Sequence, residues 1–372
     1  MPTRTVFLSA ILIALSACSD QVQDINKNPA QETGSVDVTL GISFPPVADE
    51  NQRDFALPLL EELNVKQIRI GERWEFREPT PGNFNWGPLD DRISWATQNN
   101  IEILLTIQSD GPDWACSPLR NENSCVYKNN SDFQNYIETL LQRYPNQIQR
   151  IQYGNEWQSD FWYIGNGEQF TAANNIVYYE MLEIHIIKEI VYNAIQQLSP
   201  QTKLVLGGFT TISLRFLAGC GGQIDSFYNN EGILIDQDFL DANCSSPEFQ
   251  YVVEKINTIL KNAQYDEIDI HLYDDAENWP VFFDVINTMV RKPIIVTEFG
   301  GPNVNIEPVD EQYQAERLER YIRQIDALGI TDAYFFKLVE GTNNPAHIKS
   351  GLIRAADLSK KQSFFTFKTL NQ

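Results

Sequence analysis

Two segments of this 372-residue chain, Tyr153-Gly154-Asn155-Glu156-Trp157 and Val296-Thr297-Glu298-Phe299-Gly300-Gly301, carry the residues best suited to chemistry. Each follows an apolar, β-branched run that reads as a buried strand, and each sets a glutamate at the C-terminal end of that strand. Two carboxyl groups on either side of a glycosidic bond can divide the work of cleaving it. One protonates the leaving oxygen, and the other attacks the anomeric carbon or activates water. Glutamates so far apart in sequence meet only if the strands that carry them point the same way, as they do in a parallel barrel.

The rest of the chain reads as such a barrel. Candidate strands are Val36–Ile42, Val65–Gly71, Ile101–Ile107, Ile148–Gly154, Lys203–Gly208, Glu267–Leu272, Pro293–Thr297 and Thr331–Lys337, eight in all. Amphipathic stretches alternate with them, among them Asp90–Gln98, Ser131–Arg143, Ala172–Leu198, Phe249–Asn262, Asp310–Leu328 and a closing Lys361–Leu370. The pattern predicts an α/β fold, a single-domain (β/α)8 TIM barrel over residues 36–372, with its site at the C-terminal strand ends. An open doubly wound sheet is the alternative. It usually needs a glycine-rich phosphate turn after the first strand, and Gly41-Ile42-Ser43-Phe44-Pro45-Pro46 is not one.

The first residues read as a targeting segment. Arg4 precedes the short apolar run Val6–Leu15, and Leu15-Ser16-Ala17-Cys18 resembles a bacterial lipobox, which implies a signal peptide over 1–17 and a lipid on Cys18. An ordinary cleaved signal is the alternative. Ser19 after Cys18 implies an outer-membrane or cell-surface lipoprotein, and the polar stretch 18–35 reads as a flexible tether. Contact with the membrane is expected only through that anchor. A net charge of −22 argues against nucleic acid as a partner. Past Cys18, the even count of Cys116, Cys125, Cys220 and Cys244 in an exported chain favours disulfides, and proximity suggests Cys116–Cys125 and Cys220–Cys244. Three histidines and no zinc-like spacing argue against a metal, no cofactor is expected, and a monomer is the simplest expectation.

In order and context the motifs resemble clan A glycoside hydrolases, barrel enzymes with catalytic glutamates after strands four and seven. The resemblance covers about Val36 to Leu370 and implies a carbohydrate substrate. Asn155-Glu156 matches the clan's Asn-Glu pair and implies Glu156 as general acid/base. Thr297-Glu298-Phe299-Gly300 matches the strand-seven motif and implies Glu298 as nucleophile of a retaining, double-displacement β-glycosidase. Arg69 matches the strand-two arginine beside the nucleophile, and His271 and Tyr273 match the strand-six pattern. Their chemistry suits those places: Arg69 would keep Glu298 ionised, Tyr273 would orient it, and Asn155 could donate to the sugar's 2-hydroxyl.

Sugar rings present apolar faces that pack on indoles. Trp74, Trp114, Trp157, Trp162 and Trp279 all follow candidate strands and are candidate platforms or loop anchors, whereas Trp86 and Trp95 read as packing. Many clan members end strand eight on a tryptophan. Here the segment is Tyr334-Phe335-Phe336-Lys337, and a lysine in that place, with Arg73 and Arg77 near the same mouth, opens the way to a carboxylated or sulfated sugar. Both arginines could instead pair with Glu72, Glu75 and Glu78. Two other readings stand beside the polysaccharide hydrolase: a non-catalytic glycan-binding lipoprotein on the same scaffold, and an exo-acting glycosidase.

Overall fold

The computed structural model describes residues 36–120, 123–156, 185–273, 275–341 and 344–372. Eight parallel strands close into a barrel: β1 Thr39–Ser43, β2 Gln67–Glu72, β3 Glu102–Ile107, β4 Arg150–Tyr153, β5 Lys203–Phe209, β6 Glu267–Tyr273, β7 Ile294–Gly300 and β8 Asp332–Phe336. Each pairs with its sequence neighbours, and β1 closes the ring on β8. These are the eight strands expected from sequence, their ends shifted by at most three residues. Strands covered on both faces need near-continuous apolar runs, and Ile103-Leu104-Leu105 in β3 is one.

Helices cover the outside. Asn130–Arg143 buries Phe133, Tyr136, Ile137, Leu140 and Leu141, the one-face spacing of an amphipathic helix. Glu311–Ala327 starts at Asp310, whose side chain accepts from the Tyr313 amide and so caps the first turn. Of the long helix expected over Ala172–Leu198, the described part begins at His185, a π-helical stretch to Tyr192 that runs into Asn193–Leu198.

Two short antiparallel ribbons stand over the mouth side and were not foreseen. One pairs Cys116–Arg120 with Cys125–Tyr127, and the other pairs Phe227–Tyr228 with Leu234–Ile235. The turn read at Asn229-Asn230-Glu231-Gly232 is the tip of the second. Asn229 Oδ1 accepts from the amides of Glu231 and Ile233, and Gly232 takes a φ of 79°. Both expected disulfides are present, Cys116–Cys125 and Cys220–Cys244, with Cα atoms 5.6 and 5.4 Å apart. Cys18 and the rest of 1–35 lie outside the described residues. Among the described residues no helix is long and apolar enough to cross a membrane.

Side chains alternate in and out along each strand, so the barrel fills in layers. Leu104, Val205, Ile295 and Tyr334 form an apolar plug inside. One step further toward the C-terminal ends the interior turns polar. Arg69, Thr106, Gln152, Asp269, His271 and Thr297 are all 0% exposed. Buried polar groups on this scale must satisfy one another, and the network they make is the floor of the site.

Candidate active site

Glu298 owes its aim to a β-bulge. Asp269 pairs with Ile295 but His271 with Glu298, so β7 carries one extra residue against β6, and it does so against β8 as well. The bulge lets Thr297 stay in the floor while the next side chain, Glu298, turns to the mouth. Arg69 Nη1 donates to Glu298 Oε1 at 2.5 Å, and the Tyr273 hydroxyl donates to Oε2 at 2.8 Å. Burial, the largest influence, works against the charge. The His271 and Arg69 cations, with the Tyr273 hydrogen bond, outweigh it and hold the Glu298 carboxyl below the usual carboxylate range.

Arg69 is itself fixed on every side. Nε donates to Thr106 Oγ1 and Gln152 Oε1, Nη2 donates to Asn155 Oδ1 at 2.6 Å, and the Phe44 ring centroid lies 4.6 Å from its Cζ. That bond to Asn155 spends the amide oxygen and leaves its NH2 as the donor for a ligand.

Glu156 follows β4 on a turn in which Gly154 has φ 75° and Glu156 itself φ 47°, the left-handed region in which a glutamate is strained. His271 Nδ1 lies 2.8 Å from Glu156 Oε1, and Nε2 lies 3.1 Å from Asp269 Oδ2. Burial pulls the imidazole pKa down, but Glu298, Asp269 and Glu156 together push it up to about 10, so it stands as an imidazolium. Gly208 makes this possible, since a Cβ there would meet His271 Nε2 at 2.4 Å and Asp269 Oδ2 at 2.5 Å.

One oxygen of Glu156, one of Glu298 and a ring nitrogen of His271 all lie within 4.8 Å of one another. A metal ion could be imagined in such a set, but the chemistry does not fit one. An imidazolium has no lone pair to give, and Arg69 and Tyr273 already occupy Glu298. The cluster holds the kinds of group that proton transfer and nucleophilic attack need.

The structure thus brings together Glu156, Glu298, Asn155, Arg69, His271 and Tyr273. It corrects the readings of Trp74 and Trp279. Trp74 is 0% exposed, enclosed by Trp114, Tyr127, Phe133 and Tyr136, with Nε1 donating to Glu78. Trp279, also 0% exposed, opens helix Trp279–Met289 edge-on to Tyr321 at 4.4 Å. Each begins a helix that folds back onto the shell, so neither can offer a face to sugar. Trp114 is half-buried, its Nε1 donating to the Glu78 carbonyl at 3.0 Å. Trp157 and Trp162 lie outside the described residues.

Arg77 is paired with Glu72, and Arg73 with Glu75 and Asp110, so both arginines are spent on protein carboxylates. Lys337 is half-buried beside Phe336 and has no ion-pair partner among the described residues. A polar cavity of about 340 Å³ opens over the connection after β3, lined in part by Arg73, Glu75, Asp110 and the Cys116–Cys125 disulfide. Burial there, against the pull of Arg73, pushes Asp110 up to about 6. Residues of the site that sequence reasoning missed are Phe44, Thr106, Gln152 and Asp269. Of these Asp269 had a signal, a carboxylate two residues before His271 on the polar face of a strand whose other face is Ile268, Ile270 and Leu272.

Comparison with known proteins agrees with this geometry. In structure the chain is similar to a GH10 protein of Paenibacillus barcinonensis, with TM-score 0.59 and 18% identity over 91% of this chain and 96% of that one. It is similar to xylanase 10B of Thermotoga petrophila RKU-1 in complex with xylobiose, with TM-score 0.58 and 12% identity over 90% and 94%. It is also similar to a family 39 glycoside hydrolase of Bacteroides cellulosilyticus WH2, with TM-score 0.58 and 15% identity over 90% of this chain, though it spans only 63% of that one. At these identities the likeness shows the barrel fold. The sequence model of glycosyl hydrolase family 10 matches residues 71–279, more than half of the chain, across β3 to β6 and the whole Asn155-Glu156 turn. A closed parallel barrel, two carboxylates across its mouth and that match together make the chain a glycoside hydrolase, and it belongs to glycosyl hydrolase family 10.

Proposed function

We propose that this glycoside hydrolase cleaves a β-linked poly- or oligosaccharide by double displacement with retention, with Glu298 as nucleophile and Glu156 as acid/base. The closeness of the two carboxylates carries the reading. Oxygens within 4.8 Å accord with the roughly 5–5.5 Å typical of retention and not with the roughly 6.5–9.5 Å that inversion needs to seat a water.

In the first step a Glu298 oxygen attacks the anomeric carbon as Glu156 gives its proton to the glycosidic oxygen. The C–O bond breaks, the alcohol departs, and a glycosyl ester remains on Glu298. In the second step Glu156, now a carboxylate, takes a proton from water. The oxygen of that water attacks the anomeric carbon, and Glu298 leaves as a carboxylate. Arg69 and Tyr273 stabilise Glu298 when it is charged at the start and end of the cycle.

Xylan is the first substrate to try, because the Thermotoga petrophila and Bispora neighbours are xylanases solved with xylobiose. Lys337, Trp114 and Asn155 are the candidate sugar contacts among the described residues, whereas His271, fully buried with one ring nitrogen on Glu156 and the other on Asp269, is placed to act through those carboxylates. Lys337 keeps a carboxylated or sulfated sugar open as a charge-assisted ligand. Family membership and the intact carboxylate pair favour an enzyme over a non-catalytic glycan binder. The exo-acting reading has a neighbour of its own in an exo-β-1,4-mannosidase. The sequence reading at Cys18 supports a lipid-anchored, surface or outer-membrane location.

The test is product release from neutral and acidic β-glycans, with the product anomer followed by proton NMR. Early β-anomer supports retention, early α-anomer overturns it, and product lengths separate endo from exo action.

A further inference from the structure

His347 lies in the short turn Pro345–His347 of the connection after β8 and has no part in the mechanism above. It is 6% exposed, and its ring stacks on Tyr273 with centroids 4.4 Å apart and planes 30° apart. Tyr273 is the residue whose hydroxyl donates to Glu298 at 2.8 Å. The turn is bolted to the barrel by Ser350, whose amide donates to the His347 carbonyl at 2.9 Å. The Ser350 hydroxyl donates to Phe336 O at the end of β8 and accepts from the Gly301 amide past the end of β7.

Two features of the imidazole call for a reason. Burial, reinforced by Arg317 and opposed by Glu156 and Glu298, pulls its pKa down to about 4, so it is neutral where His271 is a cation. Its Nδ1 is sealed without a hydrogen-bond partner, while Nε2 is not among the sealed, unpartnered atoms. A neutral imidazole carries one proton, and an orphaned buried N–H is rarer than an orphaned acceptor, so the proton belongs on Nε2. The ring is therefore a neutral donor through Nε2, with Nδ1 sealed inside the protein.

We infer that His347 is a sugar-binding and positioning residue: its ring face holds the Tyr273 hydroxyl on Glu298, and its Nε2–H donates to a hydroxyl of the sugar at the cleavage point. The inference rests on Glu298 being the nucleophile.

Three full-length proteins test it, the wild type, His347→Phe and His347→Ala, assayed across pH on xylan and on whichever glycan of the panel is cleaved. His347→Phe keeps a ring on Tyr273 and loses the donor. It should fold like the wild type and lose about tenfold in kcat/KM, the worth of one neutral hydrogen bond, with its acid limb in place. His347→Ala loses the stack as well. It should fall further in kcat, and its acid limb should move to higher pH as Glu298 loses a steady donor. A merely structural role would lower melting temperature in both without moving the limb, and wild-type kcat, KM and limb in both variants would overturn the inference. If the wild type cleaves no glycan of the panel, it is the proposed substrate and mechanism that fail. Nitrogen-15 histidine spectra of the intact protein then still decide: His347 should stay neutral and Nε2-protonated between about pH 5 and 8, and titration near the ordinary value of about 6.5 would overturn it.

Discussion

His271 Nδ1 stands 2.8 Å from Glu156 Oε1 and 3.7 Å from Glu298 Oε2, so one buried imidazolium serves both carboxylates. Asp269 holds the ring from behind at 3.1 Å, so the imidazole cannot turn away from either carboxyl.

The arrangement makes stability depend on pH in a stated direction. The folded state raises the His271 pKa from 6.5 to about 10, so it binds this proton more tightly than the unfolded chain does. The contribution is full below the unfolded pKa of about 6.5 and is lost as pH rises through about 10. Thermal melts from pH 6 to 10 should show a decline that His271→Gln, less stable at pH 6, lacks. Parallel curves would contradict the imidazolium.

Replacing Glu156 separates its acid role from its base role. Glu156→Gln should slow cleavage of a glycan, whose alcohol leaving group needs a proton, by about 10²–10⁴-fold. On an aryl glycoside with an activated leaving group the first step should be nearly spared, leaving a burst of phenol followed by slow turnover. Equal losses on both substrates would deny Glu156 the acid role.

Trp74 should matter for stability and not for binding. Trp74→Ala should cost about 3–5 kcal/mol in denaturant unfolding, because it empties a site walled by four aromatic rings. Lys337→Met should do the reverse, raising KM with little change in the unfolding midpoint. A KM change in correctly folded Trp74→Phe with no loss of stability would return Trp74 to the substrate.

The sequence made the eight strands and the central cluster legible for a physical reason. Arg69, His271 and Tyr273 lie on strands, where alternation along a buried strand settles which side chains point inward, and Glu156 and Glu298 stand in motifs at strand ends. What it hid depends on contacts made late in the chain. Trp74 looked like a mouth residue because it follows β2. The one-turn helix Trp74–Arg77 folds it onto Phe133 and Tyr136, roughly sixty residues away, and no local pattern announces that. The bulge that aims Glu298 shows only in its pairing with β6 and β8. His347 sits in a loop without periodicity, and only Tyr273 across the mouth gives it a role.

The most direct test of the central claim is to trap the intermediate. A 2-deoxy-2-fluoro β-glycoside of a sugar that the enzyme cleaves, with an activated leaving group, should glycosylate the enzyme faster than water can release it. Peptide mass spectrometry should then place one sugar on Glu298, and Glu298→Gln should carry none. Turnover of the parent glycoside with inverted product, or a label on any other residue, would contradict the account.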